Sequence, residues 1–363
     1  MIKWFFFDAG GDMVRKILNL GVILSTFLLL ITGIADNHLD PVQTTLPQPF
    51  NHQLQQSHFS GIIMTTNHNQ ITSVATYGQL GAQTPQVINQ NTLFPIASME
   101  KTLTAVIVAQ LIREHQLTYQ TTLDHFYPQI PQAQTITIRD LLNHTSGLYL
   151  AEKAPPDRCQ SDQAILHFVL HNLQAQTPHQ FNYSNVNFML LAGICDQITH
   201  TSSFFQLLQQ RILQPLHLTH TYASQNLPPT NNIALPMSYQ RHHYHNSALN
   251  YRLIDSLLGT GNLYMSIKDM NTFQTALNQG ILLPRQHLHR LVKSPTTTTS
   301  SYSGGYYNVQ GVRTVIGQYE DLPQGYCTIY KTTTDHQKSI LIFSNCSQDL
   351  DLNHFANQLL RKL

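Results

Sequence analysis

The feature that most limits the fold of this chain is where its hydrophobic patterns fall. Runs rich in β-branched and aromatic residues stand near both ends, at 59–66, 70–78, 303–309, 312–319, 325–332 and 338–344. The stretch between them has helical patterns, at 137–143, 162–174, 186–199, 203–213, 266–278 and 284–292, and an amphipathic helix is predicted at 351–363. Strands at both ends with helices between them predict an α+β fold. The N- and C-terminal parts would form one antiparallel sheet flanked by helices, with a helical lobe inserted between them.

Composition narrows the class of protein. A chain of 363 residues can bury a sizeable core, and we place one large domain at 59–363. Only 11% of the residues are charged, and 20 Lys+Arg against 19 Asp+Glu give a formal net charge of +1. Without a basic stripe or a large positive charge, the sequence gives no reason to expect nucleic-acid binding.

The N-terminal residues are typical of an exported protein. Residues 17–35 are uncharged, mostly apolar and directly follow Arg15 and Lys16. This pattern predicts a signal peptide over 1–35 or an uncleaved membrane anchor of the same residues. Met13 would make a better signal start than Met1. We therefore expect an extracytoplasmic protein, membrane-anchored or secreted, with a polar linker over 36–58.

The four cysteines leave two readings open. None of them forms a C-x-x-C pair, so neither a zinc ribbon nor a redox motif is indicated. If the last two β-rich runs form a hairpin centred near His336, Cys327 and Cys346 would lie opposite one another. A disulfide would then be possible outside the cell, and two free buried thiols are the alternative.

A serine and a lysine at helical spacing carry the strongest chemical signal. Ser98 precedes Lys101 by three residues at the predicted start of a helix, so one turn brings both side chains to the same face. The helix that follows is unusually apolar, which predicts that it is buried and that Lys101 points into a cavity. A partly desolvated lysine has a lowered pKa and can act as a base toward a serine hydroxyl.

A second pair of polar residues opens a later helix. Tyr183 and Asn185 stand two residues apart at the start of the predicted helix 186–199. The tyrosine hydroxyl can transfer protons, and the amide of Asn185 can bind a substrate carbonyl and the lysine. Both could face the pocket that holds Ser98.

With these motifs the chain resembles the class C β-lactamase and D-alanyl-D-alanine carboxypeptidase branch of the serine β-lactamase and penicillin-binding-protein superfamily. The resemblance covers roughly residues 55–350 and includes landmarks outside the catalytic motifs, at 122–124, 136–148, 181–185 and 259–264. It implies a β-lactamase/transpeptidase-like fold. It also implies that Ser98 is the nucleophile, that Lys101 and Tyr183 transfer protons, and that Asn185 contacts substrate and lysine. The main-chain N–H of Ser98 would form half of the oxyanion hole.

The third motif departs from that family. Relatives carry Lys-Thr-Gly or His-x-Gly on a strand that lines the pocket, where the cation binds the substrate carboxylate. Anchoring on Gly317 and Leu322-Pro323 places Gln318 at the position of the cation and Glu320 at that of the glycine. Gln318 can donate a hydrogen bond but has no charge, and Glu320 adds bulk and a negative charge. Losing one charge-assisted contact costs about 1.5–3 kcal/mol, so tight binding of a carboxylate-bearing substrate is not expected.

Histidines are numerous but do not predict a metal site. The 20 histidines cluster only at 242–245, without an acidic partner or helical spacing. We expect a hydrated loop there, no metal and no cofactor, and a structural role for His144. Tyr306, Tyr307 and Tyr319 could line the pocket or pack within the sheet.

Together these features predict an exported serine hydrolase that acts through a Ser98 acyl-enzyme. Its substrate would be a small molecule or a peptidoglycan-like peptide or ester of the cell wall, as in carboxypeptidase- or esterase-like relatives. The alternative is a catalytically impaired penicillin-binding-like protein that serves as a binding module of the cell envelope. The sequence does not indicate the oligomeric state.

Overall fold

A seven-stranded antiparallel sheet forms the centre of the fold in the computed structural model, which describes residues 46–294, 300–319 and 325–363. Its spatial order is β10 (Tyr302–Ser303), β11 (Tyr306–Val309), β12 (Val312–Gln318), β13 (Cys327–Thr333), β14 (Lys338–Cys346), β1 (Ser60–Asn67) and β2 (Gln70–Tyr77). The first and last parts of the chain meet where β1 pairs with β14, with Thr65 opposite Ile340. The predicted α+β fold and its terminal sheet are therefore confirmed.

Shorter strands lie outside this sheet. A three-stranded sheet contains β3 (Leu93–Pro95), β9 (Leu263–Ser266) and β6 (Thr221–Ala223) in that order. Two hairpin-like pairs join β4 (Leu148–Leu150) to β5 (Leu173–Ala175), and β7 (Met237–Gln240) to β8 (His243–Asn246). The pairing of β3 with β9 fixes the chain immediately before Ser98.

The predicted helices are all present, together with two that the sequence did not predict, at 48–56 and 251–256. They are α1 (Gln48–Gln56), α2 (Glu100–Arg113), α3 (Ile138–Leu142), α4 (Asp162–Asn172), α5 (Asn185–Thr199), α6 (Phe204–Leu208), α7 (Tyr251–Ser256), α8 (Ile267–Gln279), α9 (Arg285–Leu291) and α10 (Leu352–Leu360). The predicted helix 203–213 ends as a π-helical turn over Gln209–Leu213. The predicted strand 303–309 is instead a hairpin, because Gly304 and Gly305 turn the chain with φ of 55° and 92°.

Alternation along the strands gives the sheet two buried faces. On β1, Ile62 and Met64 belong to the main core, whereas Ile63 belongs to a second core on the opposite face. Such alternation is the natural period of a strand with helices on both sides. The main core contains α2, which packs against α5 and α9, and every residue of α2 from Glu100 to Leu111 is buried.

The second core is closed by helices from both ends of the described chain. Leu54 of α1 is fully buried there, and Phe50 meets Phe355 of α10 edge-on at 5.6 Å between ring centroids. Residues 48–56, which the sequence assigned to a linker over 36–58, are thus a packed helix. The leader, residues 1–35, lies outside the described residues. Within the described ranges, no helix is both long enough and apolar enough to cross a bilayer.

The register of β13 and β14 decides the question of the cysteines. Cys327 pairs with Ser344, and Cys346 pairs with Ser60 of β1, so the two thiols are offset along the sheet. The prediction that they lie opposite one another is wrong, because the hairpin is centred closer to Asp335 than the sequence suggested. All four cysteines are free and buried, as in the alternative reading.

Candidate active site

The turn that leads into Ser98 has a strained backbone. Ala97 has a positive φ of 45°, which is unusual for a residue with a Cβ, and a 3-10 turn over Ala97–Met99 leads into α2. Ser98 itself is partly exposed, although both of its neighbours are buried. The turn therefore presents one hydroxyl to solvent at the start of a buried helix.

Lys101 lies one helical turn after Ser98, in the wall behind the hydroxyl. Its side chain is buried, with 1% of the residue exposed. The Nζ atom donates to Ser98 Oγ at 2.9 Å, to Asn185 Oδ1 at 2.8 Å and to the Thr260 carbonyl at 3.2 Å. Burial lowers the pKa of Lys101 to about 7, against a smaller opposing effect of Glu100. A lysine with that pKa exchanges its proton near neutral pH.

Tyr183 approaches the same oxygen from the open side. Its hydroxyl donates to Ser98 Oγ at 2.8 Å, and Lys101 Nζ lies 5.1 Å from the centre of its ring. The residue is 39% exposed, so its hydroxyl is accessible to solvent and ligand. Ser98 Oγ is thus held between a buried amine and an accessible phenol.

The His144 ring packs against the ring of Tyr183. The His144 ring is fully buried and lies 4.3 Å, centroid to centroid, from the Tyr183 ring. Its Nδ1 accepts from the backbone N–H of Ser184 at 3.3 Å and from Asn187 Nδ2 at 3.0 Å, and its carbonyl accepts from the Asn182 N–H at 2.8 Å. Burial, reinforced by the charge of Lys101, keeps the pKa of His144 well below its usual value, so the ring is neutral. These contacts fit the structural role that the sequence predicted for this histidine.

Glu100 is a buried residue of the site that the sequence analysis did not single out. It is 1% exposed, and its Oε2 accepts from the backbone N–H of Leu263 at 3.1 Å. The side-chain amide of Asn262, oriented with its nitrogen toward Glu100, donates to the two carboxyl oxygens at 3.0 and 3.1 Å. Burial raises the pKa of Glu100 to about 8, opposed by these hydrogen bonds and by Lys101. The signal in the sequence that could have indicated this residue is an acidic side chain next to Lys101 at the start of a mostly apolar helix.

A cavity of about 960 Å³ opens above Ser98 and Tyr183. Its wall combines apolar and polar side chains and includes Tyr149, Lys153, Gln176, Tyr307, Ile316, Gln318 and Tyr319. Gln318, at the end of β12, thus lies in the same cavity as the candidate nucleophile. Of the tyrosines considered, Tyr307 and Tyr319 line the cavity, whereas Tyr306 is buried and bonds to Gln274. Glu320 lies outside the described residues.

The histidine cluster at 242–245 is not among the residues that line the cavity. Instead of the expected loop, it belongs to β8 and the turn before it, where His242, His243 and His245 are exposed. Within the described ranges, no group of His, Cys, Asp and Glu side chains is arranged to hold a metal ion.

A terminal antiparallel sheet, an inserted helical lobe and a serine flanked by lysine and tyrosine define the serine β-lactamase and penicillin-binding-protein superfamily. A model of the Beta-lactamase family matches residues 46–362, and the chain belongs to that family.

Curated relatives have low sequence identity to this chain but align with well over half of it. PbpX of Bacillus subtilis (strain 168) is 24% identical over 328 residues, which are 87% of this chain and 78% of PbpX. Teichoic acid D-alanine hydrolase of Staphylococcus aureus is 26% identical over 226 residues, 62% of this chain. That match spans only 56% of the hydrolase, somewhat more than half of its length.

Solved structures show the same fold. FmtA from Staphylococcus aureus aligns with a TM-score of 0.74 and 20% identity, covering 91% of this chain and 94% of FmtA. D-amino acid amidase from Ochrobactrum anthropi SV3 aligns with a TM-score of 0.75 and 19% identity, covering 87% of this chain and 97% of the amidase. At these identities the likeness concerns the fold alone.

Proposed function

We propose that the protein is a serine hydrolase in which Ser98 forms an acyl-enzyme. The observation that carries this proposal is the position of Ser98 Oγ, 2.9 Å from Lys101 Nζ and 2.8 Å from the Tyr183 hydroxyl, at the floor of an open cavity. Neutral Lys101 takes the serine proton as Oγ attacks the substrate carbonyl; Tyr183 gives its proton to the leaving group and is reprotonated by Lys101. Water then attacks the ester at Ser98, giving a proton to Lys101, and the acid is released as Ser98 Oγ regains a proton through Tyr183.

The oxyanion of both steps needs fixed donors. The main-chain N–H of Ser98 supplies one at the start of α2. The second is proposed to be a main-chain N–H of β12 beyond Thr314, because β12 pairs with β11 over residues 312–314 only, whereas Ile316 and Gln318 line the cavity. Asn185 binds the amide or ester oxygen of the substrate while it accepts a hydrogen bond from Lys101.

The substrate class follows from the charge at the third motif. Gln318 offers hydrogen bonds but no cation for a carboxylate next to the scissile bond. A D-alanyl ester or a D-amino acid amide has no such carboxylate, because its own carbonyl is the one attacked, and it carries a free ammonium instead. The sequence places a carboxylate, Glu320, two residues after Gln318, which suits an ammonium. The names of two relatives, teichoic acid D-alanine hydrolase and D-amino acid amidase, support this class.

The same class fits the proposed location. Residues 1–35, read as a signal peptide or anchor, would take the domain to the outer side of the membrane, where D-alanyl esters and peptides of the cell wall occur. Small-molecule or peptidoglycan-like substrates would reach Ser98 through the open cavity.

One observation favours the alternative of a binding module. The replacement of the cation by Gln318 would also arise in a protein that had lost turnover but kept its ligand cavity. That reading leaves unexplained why Lys101 and Tyr183 both donate to Ser98 Oγ while Asn185 accepts from Lys101.

A substrate panel tests the proposal. D-alanine methyl ester, D-alanine amide, their L-enantiomers and an acetylated D-alanyl-D-alanine peptide are compared by kcat/KM, beside a Ser98→Ala control. We expect the D-alanyl ester or amide to be cleaved best and the control to be inactive. Cleavage of the peptide alone would contradict the substrate class, and the absence of Ser98-dependent turnover on any of them would favour the binding module.

A further inference from the structure

Glu100 holds a segment of the site that lies across from its own helix. It sits between Met99 and Lys101 in the first turn of α2, so its side chain leaves the helix in a direction different from those of Ser98 and Lys101. There it receives the backbone N–H of Leu263 and the amide of Asn262. Among the described residues no cation forms an ion pair with it, and burial of a carboxyl is costly unless hydrogen bonds such as these compensate for it.

The segment that Glu100 holds, residues 259–263, is also attached at its carbonyl oxygens. The Thr260 carbonyl accepts from Lys101 Nζ at 3.2 Å, and the Gly261 carbonyl accepts from the Tyr319 hydroxyl at 2.7 Å. The Leu263 carbonyl accepts from the N–H of Ile96, two residues before Ser98, at 2.9 Å. Glu100 thus binds the same segment, residues 259–263, that also contacts Lys101 and Ile96 in the turn before Ser98.

We propose that Glu100 is a positioning residue of the Ser98 site, which keeps the 259–263 segment against α2 and thereby holds the Thr260 carbonyl on Lys101. The inference rests on the proposed acyl-enzyme function. Glu100 itself does not contact the reacting atoms. It acts through the Thr260 carbonyl, whose hydrogen bond favours the protonated form of the amine.

The surroundings of the pair set the direction of the expected effect. Lys101 is faced by Glu100 from its own helix, by His144 from the loop after α3 and by Tyr183 from the turn before α5. Glu100 is additionally faced by Asp162 of α4, which helps to raise its pKa, so Glu100 is mostly protonated near pH 7. Its removal therefore acts on Lys101 through the 259–263 segment: without the Thr260 carbonyl the protonated amine is less stable and loses its proton at lower pH.

The test is the rate of labelling by a fluorophosphonate probe as a function of pH, in the full-length protein. Glu100→Gln should move the midpoint of the rate–pH profile to lower pH. Glu100→Asp keeps the carboxyl but withdraws it by one methylene, so its midpoint should move in the same direction by less, and its rate should fall by up to about 10²-fold for a displacement near 1 Å. Glu114→Gln, the same change at a partly exposed residue directly after the end of α2, should leave both quantities unchanged.

The outcomes separate the two proposals. Wild-type profiles in both Glu100→Gln and Glu100→Asp would overturn the role of Glu100 while leaving Ser98 catalysis intact. No labelling of the folded wild-type protein would instead overturn the acyl-enzyme function. Thermal unfolding of each variant is measured in parallel, and if Glu100→Gln does not fold, a wild-type rate in Glu100→Asp is sufficient to overturn the inference.

Discussion

Gly317 on β12 lies against the carbonyl of Ile96, with no room between them for a side chain. A Cβ built on Gly317 would stand 2.1 Å from the Ile96 oxygen and 2.3 Å from Thr328 Oγ1, which itself donates to that oxygen at 3.1 Å. The strand that carries Gln318 is thereby pressed onto the turn that leads into Ser98. This close approach relates the third motif to the nucleophile, even though the motif has lost its cation.

The first prediction concerns that approach. Gly317→Ala should push β12 away from the nucleophile turn, lower the free energy of unfolding by about 1–3 kcal/mol through overpacking, and reduce labelling of Ser98 by at least about tenfold. Gly311→Ala is the control, because its Cβ would meet nothing within 4 Å and only its φ of 78° is strained. Unfolding curves and labelling rates measure the two effects, and equal labelling by both variants would show that the approach does not matter for the site.

The second prediction follows from the pKa of Lys101, which burial lowers to about 7. Because the amine acts as a base only when deprotonated, the labelling rate should be low below pH 7 and should rise to a plateau above it. Lys101→Arg, which cannot lose its proton, should label at least about 10²-fold more slowly than the wild type on the plateau above pH 7 and should show no rise through pH 7. A flat profile in the wild type would contradict the assignment of Lys101 as the base.

The third prediction concerns the phenol on the open side of Ser98. Tyr183→Phe removes the hydroxyl at 2.8 Å from Ser98 Oγ but keeps the ring that packs on His144. Turnover should fall about 10²–10⁴-fold with little change in thermal stability. Tyr149→Phe is the matched control, since Tyr149 is also 39% exposed and lines the same cavity. Similar kcat values for the two variants would argue against proton transfer by Tyr183.

The fourth prediction restores the missing charge. Gln318→Lys places a cation at the end of β12, and one charge-assisted hydrogen bond of about 1.5–3 kcal/mol should increase the rate of labelling by a fluorescent penicillin about tenfold or more. Gln176→Lys adds the same charge elsewhere in the cavity and should have a smaller effect. If both variants respond alike, general attraction rather than the third motif would explain the change.

Local patterns predicted the fold well because its elements are strongly periodic. The β-branched run of β1 and the apolar sequence of α2 are properties of neighbouring residues, and both elements begin within a few residues of the predicted position. The offset of Cys327 from Cys346 was not predictable, because the register of a hairpin depends on its turn and a small shift moves every partner.

The contacts of the candidate site likewise divide into those that local spacing predicts and those that it does not. The spacing of Ser98 and Lys101 on one helix made their contact predictable, and the family resemblance added Tyr183 and Asn185. The hydrogen bond from Lys101 to the Thr260 carbonyl and the attachment of Glu100 to Leu263 join residues more than 150 positions apart, and no local pattern indicates them. The packing of α1 in the second core was not predicted for a related reason. Its residues are mostly polar, as in a linker, and the residues that bury Leu54 lie far away in the sequence.

The most direct measurement is the site of covalent modification by a fluorophosphonate probe, mapped by mass spectrometry in the wild-type protein and in Ser98→Ala. We expect one adduct, on Ser98, which forms faster as the pH rises through 7 and is absent from the folded Ser98→Ala variant. An adduct on another residue, or no adduct on a wild-type protein shown to be folded, would contradict the claim that Ser98 is a competent nucleophile.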